Sequence, residues 1–512
     1  MTRKLFVSII SLLFIIMMLT ACVGQTPAEA SAMDTLRVGL AAFPGNLNPQ
    51  AGLGIVNIKI FYNIFDTLLT MDKNGNIAGL LAERWKWLDD RTLEVTLREG
   101  VTFHNGAPCT SLDVAFTFEN ILNGSADGTL AVLYDTLESV EIKDELTVVF
   151  HLKVADVAFE QRLGSIWGAS IVPKDYYESV GNEGFQTAPI GTGPFMLTSY
   201  SPERYILKAY DGFWGDVPNV GTVEFILYPE ASTRVIALIT GEVDIINDIP
   251  KDLIPVIERE QNLRVVGTDV KNIHIYVFNT LDKDSIMSNE KFRQALTIGM
   301  NRQLLVDTLF YDYALVPNGH QFVSYGDAYV PGYPGILFDM EIARRLVEES
   351  GYDGVEEIVL ENPSGYYVNG NQAAEAIVDM WRTIGVNARV EFVDSFRWDF
   401  PHIRPWSSAS RFDSPLGAIW LLFGPGSAPA ANTWTPTQEF LDAGHTLMTS
   451  RDTRERNEAA RILMEVFDTY CPGTYLYQVE DVYGIRGDLE WDLHYARNQV
   501  TPFRADDFSL AR

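Results

Sequence analysis

Cysteine is scarce in this chain, with three residues in 512. Two of them, Cys109 and Cys471, lie far apart, and whether they form a disulfide stays open from sequence alone. So low a count excludes a small scaffold held together by several disulfides. Apolar cores must stabilise the fold instead. A body of about 480 residues is too long for one core, so we expect two or three domains.

Basic residues are also few. The chain has 39 Lys and Arg against 68 Asp and Glu, and its formal net charge is −29. So acidic a surface is repelled by nucleic acid and by anionic lipid, and we expect no nucleic-acid partner. Solubility is sufficient to explain the charge.

Catalytic and nucleotide-binding motifs are missing. The sequence contains no H-E-x-x-H, G-x-S-x-G, C-x-x-C or G-x-x-x-x-G-K-[ST] pattern. Its seven His are scattered and suggest no catalytic set. We therefore expect neither enzymatic activity nor a cofactor.

Long apolar runs are lacking beyond residue 22, so no later transmembrane helix is expected. The apolar run at 5–19 follows Arg3 and Lys4 and leads into Leu-Thr-Ala-Cys at 19–22. This is the layout of a secretory signal peptide, predicted at 1–21. Its ending resembles the lipobox of bacterial lipoproteins, which implies that Cys22 is lipidated and begins the mature chain. An uncleaved anchor or an ordinary signal peptide would also place the body outside the cytoplasm.

A small, polar segment at 22–33 is predicted to be a flexible tether. Beyond it, alternating apolar residues predict strands at 93–97 and 147–152. Helical spacing that ends at Gly241, Gly351 and Gly385, with strands after the first and the last, predicts α/β layers. Two stretches, 319–335 and 398–434, are predicted to be long loops, which often contribute to function.

Four blocks, in order, resemble the extracellular solute-binding family that serves oligopeptide, dipeptide and nickel importers of the ATP-binding-cassette type. Their order and spacing match the family, and together they are far more specific than any one of them. They are LREGVTFHNGAPCTSLDVAF at 97–116, PIGTGPF at 189–195, ASTR and GEVD within 231–244, and FNT, FRQAL and NR within 278–302.

The resemblance implies an α/β fold, a two-lobed clamshell like a class II periplasmic binding protein, with an additional α/β domain inserted in the first lobe. Lobe I is expected at 34–57, 187–270 and 487–512, the inserted domain at 58–186, and lobe II at 271–486. The chain is expected to act as a monomer outside the membrane. It would close over a small ligand, most simply a peptide, and deliver it to the importer's permease.

The resemblance also points to a candidate ligand site. In the family, the acid that binds a peptide's amine lies in a W-x-x-D-x-x-D-P-like loop. The comparable stretch here is 406–415, where Asp413 is the best match and Ser414 replaces the second acid. Arginine suits carboxylates and tryptophan suits cations or rings. The predicted ligand contacts are Asp413, Arg411, Arg404, Arg397, Trp398, Trp406 and Trp434.

Other interpretations remain open from sequence. The Arg side chains can pack on the Trp faces in a surface loop without binding anything. The ligand can be an oligosaccharide, since Trp faces also suit sugar rings. A nickel-chelate carrier would draw on His320, His402 or His445, although no metal site is predicted. The closed form can also signal to a sensor instead of a permease.

Overall fold

The computed structural model describes residues 33–51, 54–124, 128–310, 313–494 and 500–510. The predicted signal peptide, Cys22 and all but the last residue of the predicted tether lie outside these ranges. Met33 already begins a strand, one residue before the predicted start of the body. Within the described ranges, no helix combines the length and apolar character needed to cross a bilayer.

The strands of the described residues are numbered in chain order. They are β1 Met33–Leu40, β2 Leu69–Met71, β3 Ile77–Gly79, β4 Ala82–Asp89, β5 Thr92–Leu97, β6 Leu137–Asp144, β7 Thr147–Leu152, β8 Phe195–Tyr200, β9 Arg204–Ala209, β10 Val220–Leu227, β11 Ile245–Ile246, β12 Leu263–Phe278, β13 Ala314–Leu315, β14 Ile358–Pro363, β15 Ala388–Val393, β16 Ile403–Ala409, β17 Gly473–Arg486, β18 Leu489–Trp491 and β19 Phe508–Leu510.

The α-helices are numbered in the same way, and short 3₁₀ and π turns lie between some of them. They are α1 Ile55–Ile64, α2 Ser111–Leu122, α3 Gly128–Leu133, α4 Phe159–Leu163, α5 Lys174–Thr187, α6 Ala231–Thr240, α7 Ile254–Glu258, α8 Glu290–Ile298, α9 Arg302–Leu305, α10 Met340–Ser350, α11 Gly370–Thr383, α12 Ile419–Phe423, α13 Ala428–Asn432, α14 Gln438–Thr449 and α15 Thr453–Tyr470.

One large sheet organises the described residues. Its order is β15-β14-β16-β12-β17-β11-β1-β10-β9-β8, with β13 also paired to β17. The strands β11, β1 and β10 are parallel on one side, and β15, β14 and β16 are parallel on the other. Parallel strands joined through helices form α/β layers, so the predicted fold class is confirmed.

The antiparallel strands β12 and β17 join the two halves of this sheet. Near one end of the pair, β17 also pairs with β11, and near the other end β12 also pairs with β16. The register between the two strands shifts between Asp269 and Ile273, which marks a bulge. The two lobes are therefore connected by β12 and β17, which pair with β11 in one half of the sheet and with β16 in the other.

A second sheet lies entirely inside the segment predicted as the inserted domain. It is antiparallel, with the order β4-β5-β7-β6, and α2 packs against β6 and β7. One continuous apolar core runs from this segment through the first half of the large sheet and on into α14 and α15, while a separate core fills the region around α8, α10 and α11. The exact domain boundaries stay a prediction.

The strands and helix ends that were predicted from a clear alternation or helical spacing of apolar residues are confirmed. The predicted strands at 93–97 and 147–152 correspond to β5 and β7, and Asp339 caps α10 through its side chain. Gly241 and Gly351 end their helices in the left-handed region, at φ of 76° and 77°. Glycine adopts this conformation without steric cost, which is why it stops a helix there.

The predicted long loop at 398–434 is wrong in part, because it contains the interior strand β16 as well as α12 and α13. The strand reads Ile-Arg-Pro-Trp-Ser-Ser-Ala and does not alternate. Pro405 is tolerated because β16 meets β14 through Ile403 alone, which leaves one edge of the strand free. The second predicted loop, 319–335, contains a 3₁₀ helix at Val323–Ala328.

Cys109 and Cys471 do not form a disulfide with each other, since both are buried free thiols. The first lobe is held together instead by a buried carboxylate, Asp66. It accepts hydrogen bonds from Arg504 at 2.7 Å, Thr192 at 2.9 Å and Trp214 at 3.0 Å. Thr192 and Trp214 belong to one predicted segment and Arg504 to another, so Asp66 ties two distant segments of the chain to its own.

We expect Asp66→Asn to lower the free energy of unfolding by about 3–5 kcal/mol, because it leaves the buried Arg504 cation without its counter-charge. Urea unfolding followed by tryptophan fluorescence measures the change. Asp175→Asn is the matched control, since that carboxylate is fully exposed, and it should change stability by less than about 0.5 kcal/mol. Equal effects of the two substitutions would contradict the structural role of Asp66.

Candidate functional site

A cavity of about 580 Å³, called the cleft below, lies between the two halves of the large sheet. On one side it is lined by Ala41, Asn247 and Asp248, which follow β1 and β11. On the other side it is lined by Ser364 and Asp394, which directly follow β14 and β15. Open α/β sheets bind ligands beyond the carboxyl ends of their parallel strands. The cleft therefore has the position and the size of a small-molecule site.

The two connecting strands form the floor of the cleft. β12 contributes Val270, Asn272 and His274, and β17 contributes Glu480 and Asp481. The bulge of β12 falls in this stretch, and bulges commonly re-aim side chains beside binding sites. The floor is therefore polar although it lies in the middle of a sheet.

A lysine between two carboxylates forms the charged part of the cleft. The Lys59 Nζ lies 3.7 Å from Asp248 and 3.9 Å from Asp481. Burial acts to lower the pKa of Lys59, but the two carboxylates outweigh it and the pKa is raised. Burial also raises the pKa of Asp481. The lysine stays charged at neutral pH, and the three groups neutralise one another only in part.

The backbone of Asp248 is strained. Its φ is 49°, in the left-handed region that non-glycine residues rarely adopt. Arg234 holds it there by donating to the carbonyl oxygens of Asp248 at 2.7 Å and Asn247 at 2.9 Å. Asn369, on the opposite wall, has a φ of 56°. Strain of this kind persists where surrounding contacts fix a functional geometry.

The wall from the second lobe is mostly uncharged. The His274 ring packs against Tyr367 with centroids 4.5 Å apart, and Ser407 donates to the Tyr367 hydroxyl at 3.1 Å. Burial lowers the pKa of His274 to about 4, so the ring is neutral at physiological pH. Most charged side chains of the cleft thus belong to the first lobe and the floor, and the second lobe contributes Asp394 together with rings and hydroxyls.

Asn272 contributes a buried hydrogen-bond acceptor to the lining of the cleft. Its side chain is 5% exposed, and its Oδ1 has no hydrogen-bond partner among the described residues. The residue opposite it on β16 is Ala409, which has no polar side-chain atom to offer. A buried acceptor without a donor costs about 1–3 kcal/mol. A ligand N–H or O–H in the cleft would remove this cost.

Two of the residues predicted from the stretch at 406–415 lie in a small cavity separate from the cleft. Arg411 and Asp413 line this cavity of about 50 Å³. Asp413 is bound by Lys271 at 2.7 Å and by Ser324 at 2.8 Å. The Arg411 guanidinium lies 3.4 Å from the centre of the Trp167 ring, and burial lowers its pKa to about 9.

The other predicted contacts form structural clusters. The Arg404 guanidinium is 4.3 Å from the centres of both Trp398 and Trp406, and it donates to the Arg397 carbonyl at 2.6 Å. The Arg397 side chain itself forms a two-point ion pair with Glu361. Here the arginine packs on tryptophan faces, as the non-binding interpretation of this segment expects.

Trp434 is 3% exposed and donates to the Phe423 carbonyl at 3.2 Å, within the apolar core. Among the described residues, the lining of the cleft includes none of the seven side chains predicted as ligand contacts. Two of the seven, Arg411 and Asp413, line the separate small cavity instead. Ligand contact by any of the seven side chains stays a prediction.

Sequence reasoning missed Lys59, Asp248, Asn272 and Asp481. One usable signal was present, because Asn247 and Asp248 directly follow the predicted strand at 243–246. Polar residues at the end of a buried strand are typical of binding sites in α/β sheets. The other three lie in a helix and in two long strands, where nothing local marks them as cleft residues.

The three candidate metal ligands lie apart. His320 bonds to Ser408 at 2.5 Å in the interior, His402 faces Glu356 at 3.2 Å, and His445 is exposed on α14. Across the described part of the chain, no three His, Cys, Asp or Glu side chains converge in a way that could hold a metal ion.

The position of the cleft between two halves of one sheet defines the class of a two-lobed solute-binding protein. Residues 76–432 match bacterial extracellular solute-binding proteins, family 5. The chain is 26% identical over 426 residues to the oligopeptide-binding protein AppA of Bacillus subtilis, covering 77% of each chain. It is 26% identical over 381 residues to the glutathione-binding protein GsiB of Salmonella paratyphi A, covering 74% of this chain and 72% of that protein.

Solved structures show the same fold. The ABC transporter-associated periplasmic binding protein DppA of Helicobacter pylori, in complex with the peptide STSA, gives a TM-score of 0.84 at 19% identity, covering 94% of this chain and 99% of that one. AppA of Bacillus subtilis, in complex with a nonapeptide, gives 0.82 at 21% identity, covering 94% and 100%.

The chain belongs to family 5 of the bacterial extracellular solute-binding proteins. The resemblance seen in the four sequence blocks and the expected clamshell are both confirmed. The protein is therefore an extracytoplasmic binding protein for a small solute.

Lys251, in the lining of the cleft, provides a test of its electrostatics. Its ammonium is buried 4.2 Å from the centre of the Tyr313 ring, and burial lowers its pKa from 10.5 to about 8. The fold therefore disfavours the charged form. This cost is present in full below pH 8 and disappears as the pH rises to 10.5, where the unfolded chain also loses the proton.

We expect Lys251→Met to stabilise the protein by on the order of 2–3 kcal/mol at pH 7, and this gain should shrink steadily between pH 8 and pH 10.5. Urea unfolding at a series of pH values measures it. Lys283→Met, at an exposed position, should give no such gain. A gain from Lys251→Met that does not vary with pH would show that burial of the charge is not its cause.

Proposed function

We propose that this protein is the peptide-capturing component of an ATP-binding-cassette importer. The main support for this proposal is the cleft of about 580 Å³. Its lining combines an amide oxygen without a hydrogen-bond donor, partly neutralised charges and aromatic rings. A peptide presents backbone N–H donors, a charged end at each terminus and variable apolar side chains, and these match the three kinds of surface. The named relatives AppA and GsiB, which bind oligopeptides and glutathione, support the same ligand class.

The oligosaccharide alternative depended on tryptophan faces. The described residues that line the cleft include tyrosines but no tryptophan, and the acid-rich floor favours a ligand that carries an ammonium group. The peptide is therefore the ligand that the cleft supports best.

The proposed mechanism is closure about the two connecting strands. The bulge between Asp269 and Ile273 supplies the place where they bend, and the predicted lobe boundary at 270–271 falls inside it. A ligand that contacts both walls binds the closed form more tightly and shifts the population towards it. The importer's permease then recognises the closed shape of a monomeric binding protein.

We expect one substitution, Asn272→Leu, to change stability and peptide affinity in opposite directions. Asn272→Leu should raise the melting temperature of the ligand-free protein, since it removes a buried acceptor without a partner. The same change should weaken peptide binding about 10-fold, because the ligand loses that acceptor. Thermal melting and titration calorimetry with a tripeptide pool measure the two effects.

Asn74→Leu, at an exposed turn, is the control and should change neither the melting temperature nor the affinity. If no peptide binds the unaltered protein while oligosaccharides do, the proposed ligand class is wrong. If Asn272→Leu binds peptide normally, the cleft is not where the peptide sits.

We further propose that a lipid on Cys22 anchors the protein to the membrane, supported by the Leu-Thr-Ala-Cys ending of the signal sequence. Cys22→Ala should move the protein from the membrane fraction to the soluble fraction of the producing cells. Cys109→Ala should leave the distribution unchanged, because that thiol is buried in the fold. Retention of the Cys22→Ala protein in membranes would point to an uncleaved anchor instead.

A further inference from the structure

The segment predicted as the inserted domain contacts the second lobe outside the two connecting strands. The Val157 N–H donates to the Met448 carbonyl oxygen at 3.0 Å. The Ser165 hydroxyl donates to the Arg411 carbonyl oxygen at 2.7 Å. The two donors lie on either side of α4, whereas Met448 belongs to α14 and Arg411 follows β16. The lobes therefore meet at a second place besides β12 and β17.

Two cations lie over aromatic rings across the same boundary. The Arg411 guanidinium is 3.4 Å from the centre of the Trp167 ring, and the Arg162 guanidinium of α4 is 4.8 Å from the centre of the Phe412 ring. Both rings are buried in the apolar core that continues from the inserted segment into α14. Such pairs are strongest where water is excluded. These two pairs and the two hydrogen bonds are called the inter-lobe contact below.

Both surfaces of the inter-lobe contact are fixed by bonds within their own lobe. On the first surface, the Arg162 Nε lies 2.7 Å from Asp156, and the guanidinium donates to the Leu133 carbonyl oxygen at 2.5 Å. On the second, the Ser410 hydroxyl donates to the Phe412 carbonyl oxygen at 2.6 Å and so holds the turn after β16. Surfaces that are already ordered lose little conformational freedom when they meet. The contact can therefore form and break as the lobes move, without refolding of either lobe.

The inter-lobe contact is separate from the cleft. Among the described residues, the lining of the cleft includes none of its side chains. A rotation about the bulge between Asp269 and Ile273 moves one lobe as a body relative to the other. Contacts that join the lobes outside the connecting strands must separate when the cleft opens. The inter-lobe contact thus belongs to the closed form and adds to the stability of that form whatever the cleft holds.

We infer that the inter-lobe contact is a latch, which stabilises the closed form directly and so sets how long a captured solute is retained. This inference rests on the proposed closure of the lobes. The solute leaves only after the latch has opened, so the latch acts on the dissociation rate. It also raises the fraction of closed protein, and with it the affinity, by the same factor for every solute. Selectivity stays with the cleft, and retention is controlled outside it.

Two substitutions weaken the latch and leave the cleft unchanged. Ser165→Ala removes one of its hydrogen bonds, and Trp167→Leu removes the ring against which Arg411 packs. We expect each to raise the dissociation rate of a bound tripeptide about 10-fold in stopped-flow fluorescence, because the closed form loses a contact that the open form lacks. Ser111→Ala is the matched control, since it removes the bond from a buried hydroxyl to the Asp144 carbonyl oxygen, at 2.6 Å, within the inserted segment itself. It should leave the dissociation rate unchanged.

Hydrogen exchange at Val157 tests the latch without any ligand. Its N–H is bonded across the boundary between the lobes, so this amide exchanges only when the lobes separate. We expect exchange at Val157 to be about 10-fold faster in Ser165→Ala than in Ser111→Ala, because the weakened latch opens more often. Mass spectrometry of peptic fragments that cover the segment measures the exchange in the ligand-free protein.

The latch and the proposed function can fail separately. Equal exchange at Val157 in the two serine variants would refute the latch, whether or not Trp167→Leu folds. Faster exchange with an unchanged dissociation rate would refute it as well, because the solute would then leave independently of the contact. If no tripeptide binds the unaltered protein, the proposed ligand class fails, and exchange at Val157 alone decides on the latch.

Discussion

The architecture depends on the backbone hydrogen bonds between β12 and β17. These strands pair through both halves of the large sheet, so neither half ends in an open edge at the junction. An open edge would leave a row of unpaired N–H and C=O groups. Continuity of the pair removes this problem while requiring both lobes to share two strands. The two lobes are therefore connected by two continuous strands and by the hydrogen bonds between these strands. The segments on either side of the strands form the walls of the cleft.

This constraint explains why the cleft is polar in the middle of a sheet. Regular pairing would alternate side chains between two packed faces, and both faces would be apolar. The register shift between Asp269 and Ile273 interrupts the alternation, and beside it Asn272, Glu480 and Asp481 line an open space instead of a core. A bulge is therefore sufficient to convert two structural strands into the floor of a binding site.

Much of the fold was predictable, because periodicity and glycine stops act locally. The helix from Met340 to Ser350 has an N-cap and a left-handed glycine that sequence rules recognise. Strand β16 was missed because it is buried on both faces and contains Arg404 and Pro405, so no alternation marks it. The site was harder still. Lys59, Asn272 and Asp481 come from a helix and two strands that lie far apart in the sequence, and no local pattern encodes their meeting in the cleft.

The contacts of the buried arginines show how the fold accommodates positive charge in its interior. Arg293 donates to the carbonyl oxygens of Met287, Tyr470 and Cys471, and Arg302 donates to those of Thr297 and Tyr475. A guanidinium satisfied in this way needs no partner from solution. The Arg411 guanidinium is stacked on the Trp167 ring instead, and its Nη1 has no hydrogen-bond partner among the described residues. The fold therefore holds its interior cations in two ways, with main-chain carbonyl oxygens at Arg293 and Arg302 and with an aromatic face at Arg411.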